Sequence, residues 1–242
     1  METRTDEIAD GIYRFSTLHT QVSPPAGMSF NEFLIMGDEP LLFHCGHRAM
    51  FPQISAAVAR VVKLDRLRWI AYSHVEADEC GALDDWLAAA PNSTVAHGGI
   101  GCNIWLNDVA PRKPRLLADN EILDIGGRRI RHLDTPHVPH GWDARMLFEE
   151  TNGTLLCSDL FGHVGDGPAV TESDIVAPAI DAQNKSRAMS LTPATVPTLR
   201  RLAGLQPRRL ALMHGSSFAG DAGAALGALA DHFAAELRAA AG

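Results

Sequence analysis

From position 73 to 81 the chain reads Ser-His-Val-Glu-Ala-Asp-Glu-Cys-Gly, which places one imidazole and three carboxylates within the six residues His74 to Glu79. A negative cluster that dense is costly unless a cation compensates it, and a metal ion supplies that cation. The alternate spacing of His74, Glu76 and Asp78 lets their side chains converge from an extended segment that is beginning to turn. On its own the segment is also readable as a solvated acidic loop. Three more residues make the pattern more specific: His140 lies 62 residues after Asp78, Asp159 follows 19 later and His214 another 55 later.

The elements that must position these residues are read from hydrophobic period and turn signals. Residues 11–17 and 32–44 predict an antiparallel opening, the second pair of strands being joined by the polar turn Gly37-Asp38-Glu39-Pro40. A helical pattern at about 50–62 leads into the apolar run 68–73, a buried strand that ends at the acidic cluster. Residues 82–90 and 99–107 predict helices flanking a short strand at 94–97. Strands at 129–135, 145–149 and 154–158 form a second block, with Asn152-Gly153 as a hairpin turn. A helix at 193–203, a buried strand at 209–213 and an Ala-rich helix at 222–241 complete the chain. Two mixed β blocks, each followed by helices, predict two stacked sheets with helices outside, in one domain spanning residues 1–242. Every candidate ligand then lies on a loop that follows or joins strands, so the loops can meet at one edge of a rigid scaffold.

Composition narrows the function. At 242 residues and 46% hydrophobic content the chain can bury a sizeable core. A formal charge of −8, a pI near 5.7 and scattered Lys and Arg argue against nucleic acid and anionic membranes as partners. The charged N-terminus has no apolar leader and no run of 18 apolar residues follows, so a soluble cytoplasmic protein is expected. Cys45, Cys80, Cys102 and Cys157 form no Cys-x-x-Cys pair and read as reduced thiols.

The residues resemble the metallo-β-lactamase superfamily, and within it the flavodiiron proteins and the shorter oxygen-binding diiron proteins, from about Asn31 to Asp221. The hydrolase branch carries His-x-His-x-Asp-His, whereas His74-Val75-Glu76-Ala77-Asp78-Glu79 is similar to the His-x-Glu-x-Asp form of the diiron branch. Pro136-His137-Val138-Pro139-His140, Cys157-Ser158-Asp159-Leu160-Phe161-Gly162 and the segment Met213-His214-Gly215 through Gly220-Asp221 resemble that branch's later loops. The resemblance implies an α+β fold, the four-layer αββα sandwich. It also implies two metal ions, with His74, Glu76 and His140 on one, Asp78 and His214 on the other, and Asp159 between them. Exchange of an imidazole for a carboxylate hardens the donor set and favours iron, although three histidines and three carboxylates could also hold zinc or manganese.

Several positions depart from the family pattern or stand near it. Glu79 takes the place of a further metal-binding histidine of the hydrolases and either bonds a ligand histidine or faces solvent. His44 and His47, in His44-Cys45-Gly46-His47, are candidates to support the first motif or are structural. His137 is a pocket candidate if His140 is the ligand; His163, beside Gly162 and Gly165, could approach the open coordination face but reads first as a surface-loop residue, and His97 and His132 read as structural. Trp105, Trp142, Phe161 and Met189 could line the site or fill the core.

Two reactions follow. The first is binding or reduction of dioxygen or another small molecule at a diiron centre, as sensor or oxidoreductase. The chain shows no Gly-rich phosphate loop, so no flavin is expected in it and a separate electron-donor protein would be the redox partner. The second is metal-dependent hydrolysis of an ester, thioester or phosphodiester. A weaker third reading is a metal-binding scaffold without turnover. No catalytic side chain is expected beyond the metal centre, a homodimer is left open, and Asp159→Ala is expected to cost more metal than Glu79→Ala.

Overall fold

The computed structural model describes residues 2–241. The first half of the chain builds one seven-stranded sheet. Strands β1 (Thr3–Ala9), β2 (Ile12–His19), β3 (Met28–Ile35) and β4 (Leu41–Phe43) are antiparallel neighbours. After α1 (Phe51–Val58) the sheet turns parallel through β5 (Trp69–Ala71). Then come α2 (Ala77–Cys80), α3 (Leu83–Ala89) and β6 (Thr94–Gly98). A helical stretch of α4 (Gly99–Gly101), a π-helical turn (Cys102–Leu106) and α5 (Asn107–Val109) leads to the parallel strand β7 (Arg115–Leu117).

The second sheet begins with β8 (Ile122–Asp124), β9 (Arg129–Asp134), β10 (Arg145–Glu149) and β11 (Thr154–Leu156), each antiparallel to the one before it. It continues with β12 (Val170–Thr171), α6 (Val176–Ser186), α7 (Thr195–Gly204), β13 (Arg209–Ala211), β14 (Ser217–Phe218) and α8 (Ala222–Ala241). β13 enters parallel to β11, so the strands that precede Asp159 and His214 run side by side.

Strand alternation divides the apolar residues into three layers of core. On β3 and β4, Phe30, Leu34 and Leu42 pack with Ile54 and Trp86 beneath the helices α1 and α3. Their neighbours Phe33, Ile35, Leu41 and Phe43 face Ile130, Leu147, Leu156 and Ala211 of the second sheet. On the far side Leu155, Leu210 and Met146 pack under α7 and α8 through Leu199, Leu202, Leu226 and Phe233. The result is the expected αββα sandwich. No helix of the described residues is long and apolar enough to cross a membrane.

Backbone bonds lock the two sheets together at the edge where the loops meet. The Asn31 N–H donates to the Met213 carbonyl at 3.0 Å and the Met213 N–H to that of Ser158 at 2.9 Å. The Asn31 side chain donates to the carbonyls of Leu212 and Gly215 at 2.8 and 2.9 Å. A buried amide in the first sheet thereby sets the loop that follows β13.

Candidate metal centre

The structure brings His74, Glu76, Asp78, His140, Asp159 and His214 to one edge of the sandwich. β5 ends at Ala71, and the chain then carries buried His74 outward to half-exposed Glu76 before α2 begins beside buried Asp78. His74 Nε2 and His140 Nε2 each lie 2.9 Å from Glu76 Oε2, and 3.5 and 3.4 Å from Asp159 Oδ2. One donor atom from each of these four residues lies within 4.8 Å of the others, a spacing that fits a single ion. Asp159 turns its other oxygen elsewhere: Oδ1 is 3.3 Å from His214 Nε2, which is 3.4 Å from Asp78 Oδ2. The two oxygens of Asp159 therefore face two separate groups of donors.

The local hydrogen bonds leave metal-ready atoms. His214 Nδ1 contacts the Ser29 carbonyl at 2.9 Å, so Nδ1 carries the hydrogen and Nε2 of the neutral ring is bare. Buried Asp159 Oδ1, which has no hydrogen-bond donor, then faces that bare nitrogen. Two lone pairs so close need a proton or a metal between them. Burial alone would lower the pKa of His214, but Asp159 and Asp78 overcome it and lift it to about 9. Burial likewise opposes Glu79, Glu76 and Asp159 at His74, whose pKa rises to about 10. Burial, helped by the neighbouring carboxylates, pushes Asp78 up to about 6 against the pull of His214. His74 and His140 instead hold Glu76 well below the usual carboxylate range. In the metal-free protein protons balance the cluster, and a divalent ion would take over that task.

The remaining candidates separate. Glu79 neither faces solvent nor stands at the periphery: it is fully buried, accepts from the Ser73 N–H and the Ser158 hydroxyl at 2.8 Å each, and lies 3.0 Å from His44 Nε2. His44 and His74 hold its carboxyl ionised although burial opposes this. Glu79 thus ties the loop after β5 to the loop after β11, with His44 as its buried partner. His47 packs edge-on against Phe30, which is edge-on to His214. His137 is exposed, with a φ of 65°, and does not line the cavity over the site; its backbone N–H donates to the Gly141 carbonyl at 2.7 Å across the turn that carries His140.

That cavity, of about 690 Å3, is walled partly by Pro24, Met28, Phe161, Met189 and His163, with Glu76, Asp78, His140, Asp159 and His214 at its base. Phe161 and Met189 line it, whereas Trp105 and Trp142 are among the exposed apolar side chains. Of the two readings of His163, the structure favours the one that approaches the site: its ring lines the cavity over Gly215, where a Cβ would lie 2.2 Å from it. A glycine directly after the last histidine was the available signal for it. Asp143 belongs to none of the sequence motifs, yet it is buried and accepts from the Val75 N–H at 3.1 Å, holding the first loop from behind.

A family model described as ODP family beta lactamase matches residues 28–215, a stretch that contains all six converging residues. The chain belongs to this family. Family likeness extends to a diflavin flavoprotein A of Synechocystis, 23% identical over 192 residues, which covers 76% of this chain and 33% of the relative. It extends also to an anaerobic nitric oxide reductase flavorubredoxin of Pectobacterium carotovorum, 24% identical over 146 residues, covering 59% of this chain and 29% of the relative. The rubredoxin oxygen:oxidoreductase of Desulfovibrio gigas superposes with a TM-score of 0.84 at 16% identity, over 95% of this chain and 61% of that one. This likeness supports the metallo-β-lactamase-type fold. The matched segments span only about a quarter to a third of the curated relatives, from 24% to 33%.

Proposed function

We propose that this ODP family chain holds two iron ions and reacts with a small diatomic gas, dioxygen or nitric oxide, as a sensor or as an oxidoreductase supplied with electrons by a separate donor protein. The observation that carries the reading is the divided geometry of Asp159, with His74, Glu76 and His140 around one oxygen and His214 and Asp78 around the other. Two reducible ions so held would supply electrons to the gas. The chain's own contribution is to place three imidazoles and three carboxylates, and to keep the His214 ring turned by the Ser29 carbonyl. The names of the flavorubredoxin and of the Desulfovibrio protein, which refer to nitric oxide and oxygen, support the same class of reaction.

The test is anaerobic loading with ferrous iron followed by exposure to air or nitric oxide. About two iron ions per chain and a near-ultraviolet ferric absorption without added flavin are expected, with one oxidation per site unless a reductase is added. A second reading, metal-dependent hydrolysis, is favoured by the cavity, since 690 Å3 is the size of an organic-ligand site and far exceeds what a diatomic gas needs. A sample that takes up only zinc when offered both metals, ignores both gases when iron-loaded and rapidly hydrolyses a thioester or phosphodiester would establish that reading instead.

A further inference from the structure

The 690 Å3 cavity over the centre has two unlike parts. Its base is the donor set of Glu76, Asp78, His140, Asp159 and His214. The wall then changes character at once: Leu160 and Phe161, which directly follow Asp159, line the cavity and pack in one apolar cluster with Ala179, Met189, Leu229 and Phe233, which line it too. Leu229 and Phe233 stand one turn apart on α8 and Ala179 lies on α6, so the cavity continues from the metal edge into the apolar layer to which both helices contribute. The polar groups on the α6 side are already engaged. Lys185 Nζ donates to Asp181 Oδ2 at 2.6 Å, and Gln183 Oε1 accepts from the Met189 N–H at 2.9 Å.

We propose that this cavity binds a medium-chain aliphatic monocarboxylate, with the carboxylate at the metal centre and the chain along the apolar wall. A largely apolar chamber of this volume, with its polar groups gathered at one end, has the character of a site for an organic molecule with one polar head. The direction of the head rests on the two-metal reading above. Two divalent ions set against the carboxylates of Glu76, Asp78 and Asp159 leave one positive charge, and a single anionic head offsets it. The other end makes no such demand, because its cation is shared with Asp181. Along the wall between, Phe161, Met189, Leu229 and Phe233 offer side chains without hydrogen-bond donors, so recognition there falls on apolar length.

The sequence of α6 keeps that room open. Ala179, Ala182 and Ser186, three and then four positions apart, fall on one face of the helix, and all three line the cavity. Small side chains on the inward face leave space that leucine or phenylalanine at the same positions would fill. A diatomic gas needs none of it.

The test uses the full chain, loaded anaerobically with ferrous iron and, separately, freed of metal. Isothermal titration with butyrate, hexanoate, octanoate and decanoate should give one site per chain and an affinity that rises about fourfold for each added CH2, the increment for moving a methylene out of water. The loaded protein should bind decanoate roughly tenfold or more tightly than decylamine, and removal of the metal should abolish that preference while the dependence on chain length persists. Ala182→Trp should flatten the dependence by filling the cavity beside α6. Affinity independent of chain length, an unchanged dependence in Ala182→Trp, or decylamine bound as tightly as decanoate by the loaded protein would overturn the proposal. Chain length is read without metal as well, so this result stands or falls apart from the iron and gas experiments. If Ala182→Trp fails to fold, the unaltered protein decides: saturation at one decanoate per chain supports the site, and binding that never saturates sinks it.

Discussion

At the scale of single residues, Glu79 and Asp159 do different work within a few ångströms. Asp159 Oδ1 is buried without a hydrogen-bond donor, while Glu79 is held by Ser73, Ser158 and His44. Asp159→Ala should therefore lose most of the metal from both halves of the centre, and His140→Ala should lose about one ion per chain, both read by elemental analysis of the purified proteins. Two ions retained in Asp159→Ala would refute the divided-carboxylate reading. Glu79→Ala should instead lower the stability of the metal-free fold by about 3–5 kcal/mol, because it leaves His44 buried beside an empty space and two donors unsatisfied. Urea unfolding of the metal-free proteins checks this, and an unchanged midpoint would contradict it. The sequence revealed the charge of Glu79 but not its partners, since His44 lies 35 positions away and only the pairing of β4 with β5 brings the two loops together.

At the scale of elements, the strands that carry the site were the legible ones. The apolar runs before His74 and His214 appear as β5, buried at all three positions, and β13, buried at Leu210 and Ala211, because strands covered on both faces read as continuous apolar runs. The unrecognised elements lack that signature. β1 is an edge strand whose charged side chains leave only Thr3 and Ile8 buried, and β7 and β8 are three residues each. β9 gives the pH prediction. Burial and Arg145, with Arg201, lower the folded pKa of His132 from 6.5 to about 3, against the Ala118 carbonyl and Asp119. Between those values the unfolded chain binds a proton that the folded chain does not, so stability rises with pH and is lost as pH falls from 6.5 toward 3. In metal-free protein, His132→Asn should flatten this slope by up to about 1.4 kcal/mol per pH unit, measured as urea midpoints between pH 4 and 7. Parallel curves for the two proteins would show that His132 is protonated when folded.

At the scale of the whole molecule, the centre stands where four loops from two sheets meet, so its geometry depends on the sandwich being closed. Gly141 marks the closest approach: its φ is 80°, and a Cβ there would lie 3.1 Å from the His74 Cβ. Gly141→Ala should keep the fold but push the turn that bears His140 away from His74, lowering iron content with an unchanged far-ultraviolet circular dichroism spectrum; full iron occupancy would count against the coupling. The outer wall of the large cavity obeys a different rule. Of the eleven residues of α6, Ala179 alone is buried, whereas β3 behind the centre is buried at seven of its eight positions. A helix so lightly anchored opens at little free-energy cost, while the strand opens only with the global transition. Amide hydrogens of α6 should therefore exchange with solvent orders of magnitude faster than those of β3, with or without metal. The chamber then has one stiff wall that keeps the donor atoms in place and one breathing wall that sets how often, and for what size of visitor, the doorway is wide enough.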